Sequence, residues 1–365
     1  MAIPGNLLSA TTESMDPNTS GWRARANCAK SLGTGGRNGD GALVLTSSAA
    51  GEMMAETVTA YPVAPGELYL VFADASSSTQ PERIGIEWLT ESLTPVGSVT
   101  WSMTTASASA SWHRVSVAGE CPAGATRARV LLSSTASAAS RTHFWENVYL
   151  GPPIRYLGNL LPYNVESGGE LDTSGWTAET NATVARLAPV LGWLTTWYLA
   201  GGHLVAVTAV ADGDTAMRCT ERVVATPGTD YLAYAYLGPP SVAVQPWIEL
   251  RFYDDGGALL LAERAWLAQP GTGIYRQHVS AVSPASTAEA EIAVGMTAAT
   301  AGQALWVEGV VVVVAPELAA GTVVPYEDAS FEQGVGAWTV ASGPGTIART
   351  SPWGAPRCTA PTPCR

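Results

Sequence analysis

An internal repeat constrains the fold of this chain more than any other feature. The residues Gly-Asn-Leu-Leu at 5–8 are followed by Thr-Ser-Gly and then Trp22. The same four residues recur at 158–161 and are followed by Thr-Ser-Gly and Trp176. A motif that recurs with nearly the same spacing indicates copies of one structural module.

A third copy begins near Val324 and passes through Trp338, but it then stops, and the last ten residues match neither earlier copy. About forty residues are too few to bury a core of their own. The sequence therefore predicts one module at 1–153, a second at 154–318, and a truncated third module with a tail at 319–365.

The composition predicts an all-β fold. The 37 glycines and 24 prolines divide the chain into short segments, and 47% of the residues are hydrophobic while only 14% are charged. Segments such as 84–89 alternate apolar and polar residues, which is typical of half-buried strands. We expect two consecutive β-sandwiches of the jelly-roll type.

Landmarks inside the two complete copies can be matched. Tyr69 corresponds to Tyr231, and the aromatic residues of the closing segments suggest that Trp145 corresponds to Trp306. The copies should superpose strand for strand, with Trp22 over Trp176. A large aromatic residue at one repeat position favours a core role for Trp22, Trp176 and Trp338, with a ligand-stacking platform as the alternative.

The formal net charge of −12 argues against a nucleic-acid partner, because phosphate binding needs clustered Lys and Arg. The longest apolar run, 310–315, is too short to cross a bilayer. The first residues show no basic and apolar secretory leader. These observations predict a protein without membrane insertion or a signal for export.

No catalytic constellation stands out. The four histidines are scattered, and the motifs of nucleophilic hydrolases, zinc proteases and P-loop enzymes do not occur. The five cysteines share no repeated spacing, which favours free thiols and leaves a Cys28–Cys121 bridge as the alternative. We therefore expect a protein that is not an enzyme.

An aromatic insertion in the second copy is the candidate binding surface. Trp193, Trp197 and Tyr198 fall in a stretch that has no counterpart in the first copy. Flat aromatic rings can stack on the apolar face of a sugar. The same residues could instead pack against a neighbouring module or a second subunit.

The motifs resemble those of carbohydrate-binding-module-like jelly rolls of the galactose-binding type. The matching features are Phe331-Glu332 followed by Gly-Ala-Trp338, and a closing Trp145-Glu146-Asn-Val148. The tandem arrangement and the opening residues 2–8 look like those of minor tail proteins of actinobacterial phages. This resemblance covers most of the chain.

The resemblance implies a structural Ca²⁺ held by an opening and a closing acid in each module. The matching positions are Glu13 with Glu146 and Glu166 with Glu308. Carboxylate oxygens are ligands that Ca²⁺ prefers, and they would join the first and last strands. The alternative is that these acids are solvated surface carboxylates.

The resemblance also implies a function. It predicts a virion tail component, homo-oligomeric and in contact with other tail proteins, that presents glycan-binding modules to the host surface. Such a protein would be extracellular after host lysis. The alternatives are a glycan-binding module of a secreted bacterial protein and a structural spacer without a ligand.

Overall fold

The computed structural model of the chain describes residues 3–37, 39–77, 81–104, 109–188, 201–238, 244–267, 273–315, 338–340 and 346–347. The chain divides into two compact units. The first comprises Met1–Ile154 with Leu187–Leu204, and the second comprises Arg155–Arg186 with Val205–Arg365. The module boundaries expected at 1–153, 154–318 and 319–365 stay a prediction, and most of the third module lies outside the described residues.

The first unit is a sandwich of two antiparallel sheets. Its described elements are α1 (Ala10–Ser14), β1 (Trp22–Ala26), β2 (Cys28–Thr34), β3 (Gly41–Ser47), β4 (Gly51–Thr57), β5 (Tyr61–Pro62), β6 (Leu68–Ser77), β7 (Glu82–Leu89), β8 (Thr100–Trp101), β9 (Ser109–Glu120), β10 (Arg127–Ala136) and β11 (Thr142–Gly151). One sheet has the order β1-β4-β10-β7-β8, with β5 also paired to β10, and the other has the order β2-β3-β11-β6-β9.

The second unit repeats this architecture. Its described elements are α2 (Tyr163–Glu166), β12 (Trp176–Thr180), β13 (Ala182–Leu187), β14 (Leu204–Ala209), β15 (Gly213–Cys219), β16 (Val223–Val224), β17 (Asp230–Gly238), β18 (Gln245–Tyr253), β19 (Leu259–Trp266), β20 (Tyr275–Val282), β21 (Glu289–Ala299) and β22 (Ala304–Val314). Its sheets are β12-β15-β21-β18-β19, with β16 on β21, and β13-β14-β22-β17-β20. Each strand takes the place of the strand eleven numbers earlier, so the predicted tandem β-sandwich is confirmed for the two complete modules.

Each core lies between the two sheets of its unit. Alternate residues of a strand point to opposite faces, which is why Ile84 and Ile86 of β7 both enter the core of the first unit. Trp22 and Trp176 begin β1 and β12 and are buried in their respective cores, as predicted. Trp338 is 52% exposed, so the prediction of a core role is wrong for that residue.

The closing strands β11 and β22 align one residue away from the predicted match. Trp145 pairs with Leu43 on β3, whereas the equivalent Val205 on β14 pairs with Val307. A shift of one residue exchanges the two faces of a strand. Trp145 therefore fills the core, while Trp306 lies on the outer face of its sheet. The match of Trp145 with Trp306 was wrong because it followed aromatic identity instead of strand register.

Cys28, Cys121 and Cys219 are free thiols, so the alternative bridge between Cys28 and Cys121 is not formed. Among the described residues, no helix has the length and apolarity needed to cross a membrane.

Candidate functional site

The outer face of the sheet β13-β14-β22-β17-β20 in the second unit carries a group of aromatic and charged residues, called here the aromatic face. Its members follow from strand alternation, since Ala235, Val279 and Val307 on the same three strands belong to the core on the opposite side of the sheet. They are Tyr234 and Tyr236 of β17, Arg276 and His278 of β20, and Trp306 and Glu308 of β22.

Trp306 lies on the aromatic face at the β14 side. Its cross-strand partners are Ala206 on β14 and Gly238 on β17, and both are buried. A Cβ atom built on Gly238 would lie 2.9 Å from Ile274 Cγ1 and 3.4 Å from Trp306 Cβ, so a larger residue there would crowd the tryptophan. Both cross-strand neighbours of Trp306 are therefore small residues.

Tyr236 lies between charged groups. It pairs with Arg276 on one side and with Glu308 on the other. The guanidinium carbon of Arg276 is 5.2 Å from the ring centroid of Tyr234, within cation–π range. Trp306 and Tyr236 are half-buried, Arg276 is exposed, and Glu308 is buried. This combination of aromatic rings with one cationic and one anionic group can take up a ring that has an apolar face and a hydroxylated edge.

The innermost part of the aromatic face is more tightly packed. Tyr156 meets Tyr234 edge to face with ring centroids 6.0 Å apart. Burial, together with the nearby Tyr236, raises the pKa of the Tyr156 hydroxyl well above its usual range. Tyr156 therefore stays protonated and serves as a neutral hydrogen-bonding group at this end.

The corresponding face of the first unit is closed by an ion network. Asp74 replaces the second tyrosine and is paired with Arg37 (2.8 Å) and with Arg114 (3.0 Å). The guanidinium of Arg114 lies 4.1 Å above the Phe72 ring, which stacks on Tyr149 with centroids 5.0 Å apart. Asp74, Phe72 and Tyr149 are all buried. The two modules share a fold but present different surfaces at this position.

Glu146 lies beneath a glycine-rich loop in this network. Its carboxylate accepts a hydrogen bond from the backbone N–H of Arg37, and a Cβ atom on Gly36 would lie 2.5 Å from its Oε2. Burial, followed by a hydrogen bond with Asp40, raises the pKa of Glu146 to about 8. The native state therefore retains a proton on Glu146 at neutral pH.

We expect the stability of the chain to fall as the pH rises from about 4.5 to about 8. A raised native pKa means that the unfolded chain releases the Glu146 proton first, so this stabilisation is complete below the unfolded pKa and is lost as the pH passes the native pKa. Urea unfolding of wild type and Glu146→Gln at pH 5 and pH 9 measures the effect. The glutamine amide keeps a hydrogen-bond donor where the protonated carboxyl has one. The free energy of unfolding of the variant should therefore equal that of wild type at pH 5 and exceed it at pH 9. Parallel pH profiles would contradict the assignment.

A second buried cluster joins the two sheets of the first unit. Glu82 on β7 is hydrogen-bonded to His113 Nε2 on β9, and its other carboxylate oxygen lies 2.8 Å from His143 Nε2 on β11. All three side chains are at most 5% exposed. Burial alone would raise the pKa of Glu82, but the hydrogen bonds from the two histidines outweigh it and hold that pKa well below its usual range. The His143 ring also stacks on Trp145 at 4.7 Å.

The predicted calcium residues have other partners. Glu13 lies in α1 and accepts from the backbone N–H of Ile3 and from the side-chain amide of Asn6, each at 3.0 Å. Glu166 lies in α2 and accepts from the amide of Asn159 at 2.9 Å. In both units that amide also donates to a backbone carbonyl of the closing strand, at 2.9 Å to Val148 and 3.0 Å to Val310.

The opening and closing segments are therefore joined by an asparagine amide. N–H donors surround the carboxylates of Glu13 and Glu166, and Arg155 additionally pairs with Glu166 at 2.8 Å. Among the described residues, no three His, Cys, Asp or Glu side chains are arranged to hold a metal ion. The donors at Glu13 and Glu166 do not fit a Ca²⁺ site, and a role of Glu146 and Glu308 in binding calcium stays a prediction.

The predicted glycan-binding residues Trp193, Trp197 and Tyr198 lie outside the described residues. The aromatic face was missed because Trp306 was matched with a core residue. A sequence signal was present, since Tyr234 and Tyr236 are separated by one residue and two such residues share a face of a strand.

No protein-family model matches the sequence, and no curated protein matches it. Several solved structures are similar in fold. One is the tandem CBM22-1–CBM22-2 domain of Xyn10C from Paenibacillus barcinonensis, which shares 11% identity over 86% of this chain and 98% of that chain with a TM-score of 0.34. Another is TmCBM61 in complex with β-1,4-galactotriose, with 14% identity over 42% of this chain and 97% of that chain and a TM-score of 0.29.

A third is the enzymatically active domain of tailspike protein 4 from bacteriophage CBA120. It shares 17% identity over 40% of this chain and only 21% of that chain, with a TM-score of 0.33. Similarities this distant say nothing about a ligand, so the proposed function depends on the residues of the aromatic face.

Proposed function

We propose that the chain is a non-catalytic glycan-binding protein and that its second β-sandwich binds the glycan on the aromatic face. The observation that carries this proposal is the half-buried Trp306 between two partners of minimal size, Ala206 and Gly238. A sugar ring can stack on such an indole because its C–H face is apolar. Tyr236 extends the platform along the neighbouring strand.

Polar groups at the edge of the platform would fix the orientation of the sugar. Arg276 donates hydrogen bonds and Glu308 accepts them, and a sugar hydroxyl can do both. The two groups carry opposite charges and lie on either side of Tyr236, so the face has no strong preference for an ionic ligand. A neutral glycan fits this arrangement best.

Replacing Trp306 tests the proposal. We expect Trp306→Ala to weaken binding to a neutral polysaccharide at least tenfold, about 1.4 kcal/mol, because the stacking partner is lost. The ligand is first selected on a glycan array that includes bacterial envelope polysaccharides, and affinity electrophoresis in gels with that glycan then compares the variants.

Trp266→Ala is the matched control. Trp266 is 47% exposed and lies on β19, in the other sheet of the same unit, so its loss removes similar apolar surface without touching the aromatic face. The control should bind like wild type. Equal binding by Trp306→Ala, in a variant with a normal unfolding curve, would contradict the proposed site, and the lack of any glycan ligand would leave a structural spacer.

We further propose that the chain acts in a virion tail, where tandem modules would space and present the binding face to a host surface. The resemblance of its repeated motifs to those of minor tail proteins supports this proposal. A secreted bacterial glycan-binding protein would use the same face. Mass spectrometry of purified particles separates the two, because a tail protein is recovered with the particles and its absence from them would rule out the virion role.

A further inference from the structure

A cavity of about 290 Å³ lies on the outer face of the sheet β1-β4-β10-β7-β8 in the first unit, far in the sequence from the aromatic face. It combines a charged floor with an apolar wall that comes from the turn after β7. The lining residues are Arg25, Glu56, Glu87, Arg129, Leu89, Leu93 and Pro95.

Both carboxylates of the cavity already have strong partners. Arg25 donates to Glu56 at 2.7 Å and to Glu87 at 2.8 Å. Arg23 adds a second hydrogen bond to Glu56 at 2.6 Å. Charge-assisted hydrogen bonds of this kind are among the stronger polar contacts in proteins. Each carboxylate of the cavity is thus paired with an arginine of β1.

The guanidinium of Arg129 has N–H donors without a close acceptor. Its side chain is only 12% exposed, yet its closest carboxylate oxygen, Glu56 Oε1, lies 4.0 Å away. Within the described part of the chain, its buried Nε has no hydrogen-bond partner. A buried donor without an acceptor is costly, so this guanidinium calls for an oxygen that the surrounding residues do not supply.

At the equivalent position of the second unit, the buried charged group has a full set of hydrogen-bond partners. The cross-strand pair Glu87–Arg129 is replaced there by Arg251–Glu291, with the charges exchanged. Glu291 accepts from Arg251 at 3.0 Å, from Arg218 at 3.1 Å and from the Tyr253 hydroxyl at 3.0 Å. The buried charge of the second unit is therefore fully partnered, whereas that of the first unit is not.

We propose that this cavity binds a small ligand with a single carboxylate, of about the size of one sugar ring. The two oxygens of a carboxylate match the parallel N–H groups of the Arg129 guanidinium. Arg23, Arg25 and Arg129 against Glu56 and Glu87 leave one positive charge, which a monoanion neutralises and a phosphate dianion exceeds. Leu89, Leu93 and Pro95 cover the apolar side of the ligand.

The site is tested by titrating the full chain with sodium glucuronate, glucose and glucose 6-phosphate, with binding followed by calorimetry or NMR. We expect glucuronate to bind, and glucose and glucose 6-phosphate to bind at least tenfold more weakly. Arg129→Gln should weaken glucuronate binding at least tenfold. Arg127→Gln is the control, because Arg127 lies on the same strand but pairs with the exposed Glu91 and does not line the cavity.

Two variants of Leu93 test the same site without replacing the buried Arg129. Leu93 is 45% exposed and has a φ of 65°, a conformation that Asp and Asn tolerate. Leu93→Asp places a negative charge at the wall and should weaken glucuronate binding, whereas Leu93→Asn should retain more of it. Equal affinity for glucuronate and glucose, tight binding of glucose 6-phosphate, or unchanged binding in both Arg129→Gln and Leu93→Asp would overturn the proposal.

Discussion

Replacing Glu82 with Leu is expected to destabilise the first unit by about 3–5 kcal/mol, the usual cost of removing one partner from a buried charged cluster. The Glu82 carboxylate contacts the Nε2 atoms of both His113 and His143, and all three side chains lie in the interior between the sheets. Its removal leaves two buried imidazole rings without the carboxylate that they contact. Urea unfolding followed by tryptophan fluorescence at pH 7 measures the loss.

Glu82→Gln separates the contribution of side-chain shape to stability from that of the negative charge. The amide has the size of the carboxylate, and its oxygen can accept from one histidine while its nitrogen meets the other. We expect the loss to be smaller than in Glu82→Leu. Glu91→Gln is the control, since Glu91 pairs with Arg127 on the exposed surface and its loss should change stability little.

The pH dependence of this difference follows from the depressed pKa of Glu82. A carboxyl group whose pKa is lower in the native state stabilises the fold above its unfolded pKa, and this contribution is lost as the pH falls towards the native value. The difference in the free energy of unfolding between wild type and Glu82→Leu should thus be fully present at pH 7. It should shrink in acid, as the pH falls below the usual pKa range of a carboxyl group. Glu82→Leu and Glu91→Gln having the same small effect would show that the cluster does not stabilise the chain.

The repeat and the alternation of apolar residues were sufficient to predict the sandwich architecture. Because the sequence is repeated, both copies must adopt the same fold. In a strand such as β7 the alternate apolar residues Ile84 and Ile86 mark the buried face. Register was harder to predict, because the tryptophan of the closing strand moves by one residue between the copies: by strand pairing Trp145 corresponds to Val307. Trp306 was assigned to the wrong face because the match followed aromatic identity.

The buried clusters could not be found by spacing along the sequence. Glu82, His113 and His143 come together because β7 of one sheet lies opposite β9 and β11 of the other, and sheet packing is a tertiary property. The open cavity at Arg129 likewise depends on cross-strand neighbours. The sequence did contain a signal for the asparagine amide, since Asn6 and Asn159 occupy the same place in the repeated phrase.

Asn6→Ala is expected to destabilise the first unit by about 2–4 kcal/mol, because about four hydrogen bonds are lost at roughly 1 kcal/mol each. The amide nitrogen donates to Glu13 and to the carbonyl of Val148, and the amide oxygen accepts from the backbone N–H groups of Leu8 (3.1 Å) and Leu150 (3.0 Å). Asn18→Ala is the matched control. Asn18 accepts from the N–H of Ser20 in an exposed turn, so its replacement should have a much smaller effect on the urea midpoint.

Asn6→Asp distinguishes the amide from a metal-binding alternative. It replaces the two N–H donors by a carboxylate that faces Glu13, so we expect it to be more destabilising than Asn6→Ala at pH 7 and to recover as the pH falls and one of the acids is protonated. In wild type, saturating Ca²⁺ and a chelator should leave the melting temperature unchanged, because the oxygens of Glu13 are already satisfied by N–H donors. A rise of several degrees with Ca²⁺ would instead show that calcium, and not the Asn6 amide, joins the opening segment to the closing strand.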